Sequence, residues 1–243
     1  MAGLPDVEFV LFNGYDVTGI IRSISDELTN DTEEATVAGN TVATEQFVGT
    51  ARGTVNATAF YDEDLSPKLE GGPSGVLMYV LGGNTAGAYC ECVEEAIATE
   101  YKRLIENGAT HKAEIAFGAQ GNVGLLDHAY IVAPLAAYAG AGDTESAYID
   151  SGAATASGGR WWVHVTALDL DGHDDLDVQL EDSADHVTFG DVTGALATFT
   201  AIGAQMVEFD GGVDQYLAAV YSYGGAGTDP TATFVAAVTK LPD

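Results

Sequence analysis

The chain has 243 residues, 47% of them apolar, and sets 37 acidic side chains against eight basic ones for a formal net charge of −29. This excludes an acidic disordered tail, because the carboxylates are interspersed with Val, Ile, Leu, Phe and Tyr along the whole length. It also excludes a nucleic-acid grip, which needs clustered Lys or Arg to neutralise phosphates. Such a charge repels itself in dilute buffer, but at molar salt the screening length falls to about 3 Å, so the composition predicts a halophilic protein adapted to brine.

The 30 glycines, with abundant Thr, Val and Ala, predict many short strands joined by tight turns. The first strand is expected at Val7 to Phe12, closed by the Asn13-Gly14 turn, and a second at Val17 to Ile24. Asp26 to Glu34 is acidic and turn-rich and reads as a loop facing solvent or a partner. Val55, Ala57, Ala59 and Tyr61 alternate with polar residues and make Gly53 to Tyr61 a well-formed strand. Pro73 to Leu81 reads as a short helix, with Pro in its first turn and Gly82-Gly83 as its stop. Val93 to Asn107 is ambiguous. Val93, Ile97, Tyr101 and Leu104 recur at helical spacing, whereas Val93, Ile97, Tyr101 and Ile105 fall equally well on one face of a long strand.

Strands resume at Lys112 to Phe117 and Ala129 to Ala133, and the small residues Ala136 to Gly142 read as a linker or exposed loop. Beyond it, strands are expected at Trp161 to Leu168, Leu176 to Asp182, Ala197 to Ala201, Gln205 to Phe209, Gln215 to Tyr223 and Ala232 to Val238. Their spacing of about ten residues is that of a sandwich or jelly roll.

No catalytic, cofactor-binding or metal site is assigned, and no enzyme activity is expected. The chain lacks a G-x-S-x-G, a P-loop and a dinucleotide fingerprint. The acidic hairpin Asp169, Asp171, Asp174, Asp175 and Asp177 has oxygen ligands suited to Ca²⁺ or Mg²⁺, but Gly172 comes too early for an EF-hand and no Glu closes the loop. His111, His128, His164, His173 and His186 show no ligand spacing, and His164, set between Val163 and Val165, reads as a half-buried structural imidazole. Cys90 and Cys92 would share one strand face as two buried thiols, since a bond at this spacing would be strained. Trp161-Trp162 puts one indole on each strand face, one for the core and the other for an interface or a sugar-stacking platform. No run of 18 apolar residues predicts a membrane helix, and Met1 to Asp6 has no signal-peptide pattern, so maturation inside the producing cell is expected.

Two stretches carry a resemblance. Asn13-Gly14-Tyr15-Asp16-Val17-Thr18-Gly19-Ile20-Ile21, followed by Gly49-Thr50-Ala51-Arg52-Gly53-Thr54-Val55-Asn56-Ala57-Thr58-Ala59-Phe60-Tyr61-Asp62, is similar to a pattern of the major tail proteins of long-tailed phages. Asp150 to Gly159, Val178-Gln179-Leu180-Glu181-Asp182-Ser183-Ala184-Asp185 and Val213-Asp214-Gln215-Tyr216-Leu217-Ala218-Ala219-Val220 resemble the carboxy-terminal sandwich of actinophage major tail proteins. Gln215 and Ala218 stand where that family has arginines, and the 134–149 and Asp26–Gln46 segments depart from it.

The resemblance implies an all-β chain: a tail-tube-type β-sandwich or barrel with one short helix over residues 1–133, a connector at 134–149, and an outer carboxy-terminal β-sandwich at 150–243. It favours strand over helix at Val93 to Asn107 and makes Asp26–Gln46 an inter-ring loop. The implied function is a structural virion protein of a haloarchaeal virus, assembled in the host cytoplasm into stacked, hexameric rings of a tail tube that ejects genomic DNA. The implied partners are further copies of itself, tape-measure, tail-terminator or baseplate proteins, and transiting DNA that is not specifically bound, with no membrane and no cofactor. A capsid decoration or turret protein and a carbohydrate-binding module are the competing readings.

Overall fold

The structure, a computed structural model, describes residues 7–35, 45–60, 74–81, 83–104, 112–119 and 126–241. The strands, in chain order, are β1 (Val7–Phe12), β2 (Tyr15–Asp16), β3 (Ile21–Ala35), β4 (Glu45–Phe60), β5 (Gly75–Leu81), β6 (Tyr89–Leu104), β7 (Lys112–Ala119) and β8 (Leu126–Ala139). There follow β9 (Gly142–Asp143), β10 (Ile149–Asp150), β11 (Gly159–Asp169), β12 (His173–Ser183), β13 (Gly190–Phe199), β14 (Gly203–Phe209), β15 (Tyr216–Gly225) and β16 (Thr231–Lys240). A three-residue 3-10 turn at Glu145–Ala147 is the one helical element among the described residues. The chain is all-β.

Two compact units share the chain. The first comprises Met1–Gly19, Gly75–Cys92 and Asp127–Asp243, and the second Ile20–Ser74 and Val93–Leu126. In the first unit a large sheet runs in the order β14-β11-β16-β8-β6-β5-β1-β2, and a smaller one runs β10-β15-β12-β13 with β9 beside β15. The core between them takes Trp161, Val163 and Val165 of β11 and Phe234, Ala236 and Val238 of β16 against Leu176, Val178 and Leu180 of β12 and Leu217 and Ala219 of β15. Alternate residues of the same strands, Trp162, Val235 and Ala237, turn to a second core with Phe9, Leu11, Met78, Cys90, Cys92 and Ile131. The period of two thus fills two cores from one sheet.

This sheet is rolled, and its ends meet at a pair of glycines. Asn13 (φ 48°) and Gly14 (φ 83°) form the two-residue turn between β1 and β2, the left-handed pair that matches strand twist. A Cβ on Gly14 would lie 2.5 Å from the Cα of Gly203 at the head of β14.

In the second unit β3 pairs with β4 from Ile21↔Ala59 to Ala35↔Glu45, β4 with β7, and β7 with the Ala96–Leu104 stretch of β6. Val55, Ala57, Ala59, Ile115 and Phe117 form its buried face.

Four expectations are corrected. The short helix at Pro73–Leu81 is a strand, β5; Val76 to Val80 are all buried, and a short apolar run buried on both faces carries no period to tell helix from strand. The acidic Asp26–Glu34 loop is the distal part of β3, held by its ladder to β4; charged side chains suit an edge strand. Residues 36–44 of the expected inter-ring loop lie outside the described residues. The linker at Ala136–Gly142 is the end of β8 running into β9. Its small residues pair with β16, and Tyr138 stacks on Phe234 with centroids 4.2 Å apart. The division at 133 and 150 therefore gives way, because β8 and β16 are ladder neighbours inside one unit. Val93–Leu104 is extended, with Ala96–Leu104 in the ladder with β7.

Candidate functional site

The residue types that could carry chemistry are dispersed. Asp171 (φ 42°) and Gly172 (φ 91°) form another left-handed two-residue turn, between β11 and β12. Its carboxylates serve as local acceptors: Asp171 N–H donates to Asp169 Oδ1 at 3.1 Å, and the Asp171 carboxylate accepts from the Thr228 hydroxyl and from Asp229 N–H. Those two bonds, the Thr228 one foremost, hold the Asp171 carboxyl below the usual carboxylate range. Asp175 accepts from Gly224 N–H at 3.1 Å and Asp177 from the Thr198 hydroxyl at 2.5 Å. Among the described residues, no three His, Cys, Asp or Glu side chains gather in a metal-holding group.

The histidines stand apart from one another, with His111 outside the described residues. His128 contacts Glu91 Oε1 at 2.6 Å, His173 Nδ1 lies 3.2 Å from Gly224 O, and His186 packs against Tyr148 and Tyr216. His164 is fully buried rather than half-buried, neither ring nitrogen has a hydrogen-bond partner, and burial drives its pKa down to about 3. It is held neutral by an apolar surround.

Trp161 and Trp162 do occupy opposite faces, but both are fully buried. Trp161 Nε1 donates to Val178 O and Trp162 Nε1 to Thr239 Oγ1, each at 3.1 Å. The expected interface or sugar-stacking indole is corrected: the rolled sheet buries the second face as well as the first. Cys90 and Cys92 are buried free thiols with sulfurs 3.9 Å apart, and burial raises the Cys92 thiol pKa.

A feature the sequence did not disclose is the carboxylate group around Glu181 on β12. Burial first, then the charges of Glu145, Asp191 and Asp143, push its pKa to about 7. These acids come from three separate stretches, Asp143–Glu145, Glu181 and Asp191, which no local spacing reveals.

The arrangement that can do something collective is the sheet of the second unit. Its strands run β3-β4-β7-β6, and β3, 15 residues long, is an edge. Among the described residues β3 pairs only with β4. The face opposite the buried one forms a shallow groove of about 260 Å³ lined by Ser23, Ser25, Asn56, Thr58 and Glu114, with no Lys or Arg in its lining.

No protein family profile matches the chain, and no curated protein matches it. Among solved structures it is similar to a chain of the virion of a native gene transfer agent particle, with TM-score 0.39 and 10% identity over 51% of this chain and 95% of that one. It is also similar to the SPP1 Dit protein, a hub adsorption apparatus protein of phages that infect Gram-positive hosts. That match has TM-score 0.34 and 12% identity over 96% of this chain and 99% of that one.

Proposed function

We propose that this chain is a structural virion protein that closes into rings and stacks them as the tail tube of a long-tailed virus, with no enzymatic role. The observation that carries the reading is the antiparallel run β3-β4-β7-β6 of the second unit, whose edge strand β3 extends over 15 residues. An edge this long is an aggregation liability unless something pairs with it. Pairing the β3 edge of one copy with a different surface of the next is a heterologous contact, and such contacts close into rings when the rotation allows.

Six copies giving four strands each would form a 24-stranded cylinder. With strands about 4.8 Å apart and tilted about 40°, its backbone diameter is roughly 48 Å, wide enough for a nucleic-acid duplex inside the side chains. The groove's lining of hydroxyls, an amide and Glu114 offers phosphates no cation, and in this reading transiting DNA is not specifically bound. The motif order in the sequence supports the same reading. Partners are further copies, a tape-measure protein inside and terminator or baseplate proteins at the ends, after assembly in the cytoplasm of a salt-adapted host.

Negative-stain microscopy of the full chain in molar KCl tests this. Rings or tubes with a central bore are expected. Monomers at every concentration would refute the reading, and trimeric knobs would favour a capsid decoration.

A further inference from the structure

The smaller sheet of the first unit keeps Leu180, Leu217 and Ala219 in the core. Alternation therefore turns Glu181 of β12 and Tyr216 of β15 to its outer face. There Tyr148, just past the 3-10 turn, packs its ring against those of Tyr216, His186 and Phe189, with centroids 5.5, 5.6 and 6.1 Å away. The loop that carries His186 and Phe189 is held by Asp185 Oδ1, which accepts from Ser183 Oγ and from the N–H groups of Val187 and Thr188, each at 3.0 Å. Tyr148 is nonetheless 38% exposed and Val187 74% exposed. Rigid aromatics left open in this way are common anchors at interfaces, because ordering them costs little entropy.

The charge beside these rings is negative. Glu181 lies opposite Asp191 in the ladder with β13, and Asp143 and Glu145 reach it from the stretch that leads into Tyr148. Burial first, then these three carboxylates, raise its pKa to about 7, and its Oε2 has no hydrogen-bond partner. The two basic side chains of the unit are engaged elsewhere: Arg160 with Asp127 at 2.6 Å, and the Lys240 ammonium with Ser151 Oγ, Ala153 O and Asp214 O. The other six Lys and Arg of the chain belong to the second unit, among fifteen of the 37 acids. A second copy thus brings mainly further carboxylates, and the complementary partner is a different, basic chain.

We propose that this face docks an arginine- or lysine-bearing segment of another protein, seating the cationic side chain over the Tyr148 and Tyr216 rings and against the Glu181 carboxylates. Ring faces attract a guanidinium or ammonium through their quadrupole, most strongly once the cation is desolvated. Partly buried charges are screened less than exposed ones, so the contact persists in molar salt while the diffuse attraction of a −29 chain for any cation is suppressed. The inference does not depend on ring closure.

Isothermal titration calorimetry of the full chain with a hexa-arginine peptide tests this, in molar KCl at pH 8, where Glu181 is ionised. Tyr148→Ala, Glu145→Gln and the control Asp210→Asn are compared with wild type, and melting curves report whether each retains its fold. Tyr148 is partly exposed and Glu145→Gln relieves repulsion, so either variant is informative alone. Asp210 is exposed and lies outside the Glu181 group. The expected result is one peptide bound per chain, with Kd raised at least threefold by Tyr148→Ala and by Glu145→Gln and unmoved by Asp210→Asn. No binding by wild type, an unchanged Kd in the folded variants, or an equal loss with Asp210→Asn overturns the proposal. Sedimentation velocity checks the other occupant: self-association that Tyr148→Ala abolishes would assign the face to a second copy and overturn the proposal too.

Discussion

Glu181 offers a direct measure of what the chain's acidity costs it. One of its carboxylate oxygens, Oε2, is shut off from solvent without a hydrogen-bond partner, and Glu145, Asp191 and Asp143 surround the group. Its pKa rises from the ordinary 4.5 to about 7, through burial first and neighbouring charges second. The folded state therefore holds this proton more tightly than the unfolded chain does. Stability contributed by the protonated form is fully present below pH 4.5 and is lost as pH rises through 7. At face value the shift corresponds to about 3 kcal/mol, but the side chain is partly exposed, and solvent screening reduces the expected effect to about 1 kcal/mol. Glu181→Gln removes the charge while keeping the shape. It should raise Tm by about 2–4 °C at pH 8 and leave it unchanged near pH 4.5, with the pH 8 gain shrinking in molar KCl. Differential scanning calorimetry at two pH values and two salt concentrations measures all of this. An equal gain at both pH values, or a loss at pH 8, would refute the reasoning.

Three further outcomes are expected. His164→Leu should stabilise the fold by about 1–2 kcal/mol in urea titration at pH 7, because it removes a buried imidazole whose nitrogens have no partner. As the folded pKa of about 3 lies below the ordinary 6.5, wild type should lose stability as pH falls through that window, and the variant should lose less. Gly14→Ala should destabilise by at least about 2 kcal/mol, since φ is +83° and the new Cβ would collide with the backbone of Gly203; an unchanged urea midpoint would show that the rolled sheet does not close there. Lowering KCl from molar to tens of millimolar should lower Tm and dissolve assemblies before subunits unfold, and a Tm indifferent to salt would count against a halophilic origin.

The local strand grammar was legible wherever one face was buried and the other wet. Leu176, Val178 and Leu180 alternate with Asp177, Gln179 and Glu181 and form β12 as read, and Asn13-Gly14 announced its hairpin. The grammar failed where both faces are covered, because Val76 to Val80 have no polar residue to mark a period. It failed again along β3, where an edge strand carries acids that resemble a loop.

The domain boundary was misread for a different reason. Ala136, Ala137 and Ala139 look like linker by composition, but beside Phe234 and Tyr138 small residues are what a crowded ladder accepts. Their meaning depends on β16, some 95 positions later in the chain. The same non-locality hid the Glu181 cluster and the hydrogen bonds that anchor Lys240. Lys240 meets Ser151 and Ala153 across 89 and 87 residues of chain, and Glu181 meets Glu145 and Asp143 from another segment. Both sites are products of strand pairing order, and pairing order is set by which apolar faces must share a core. Spacing within a strand records only which face each residue takes. A sequence in which acids occur everywhere therefore conceals which of them the fold brings together.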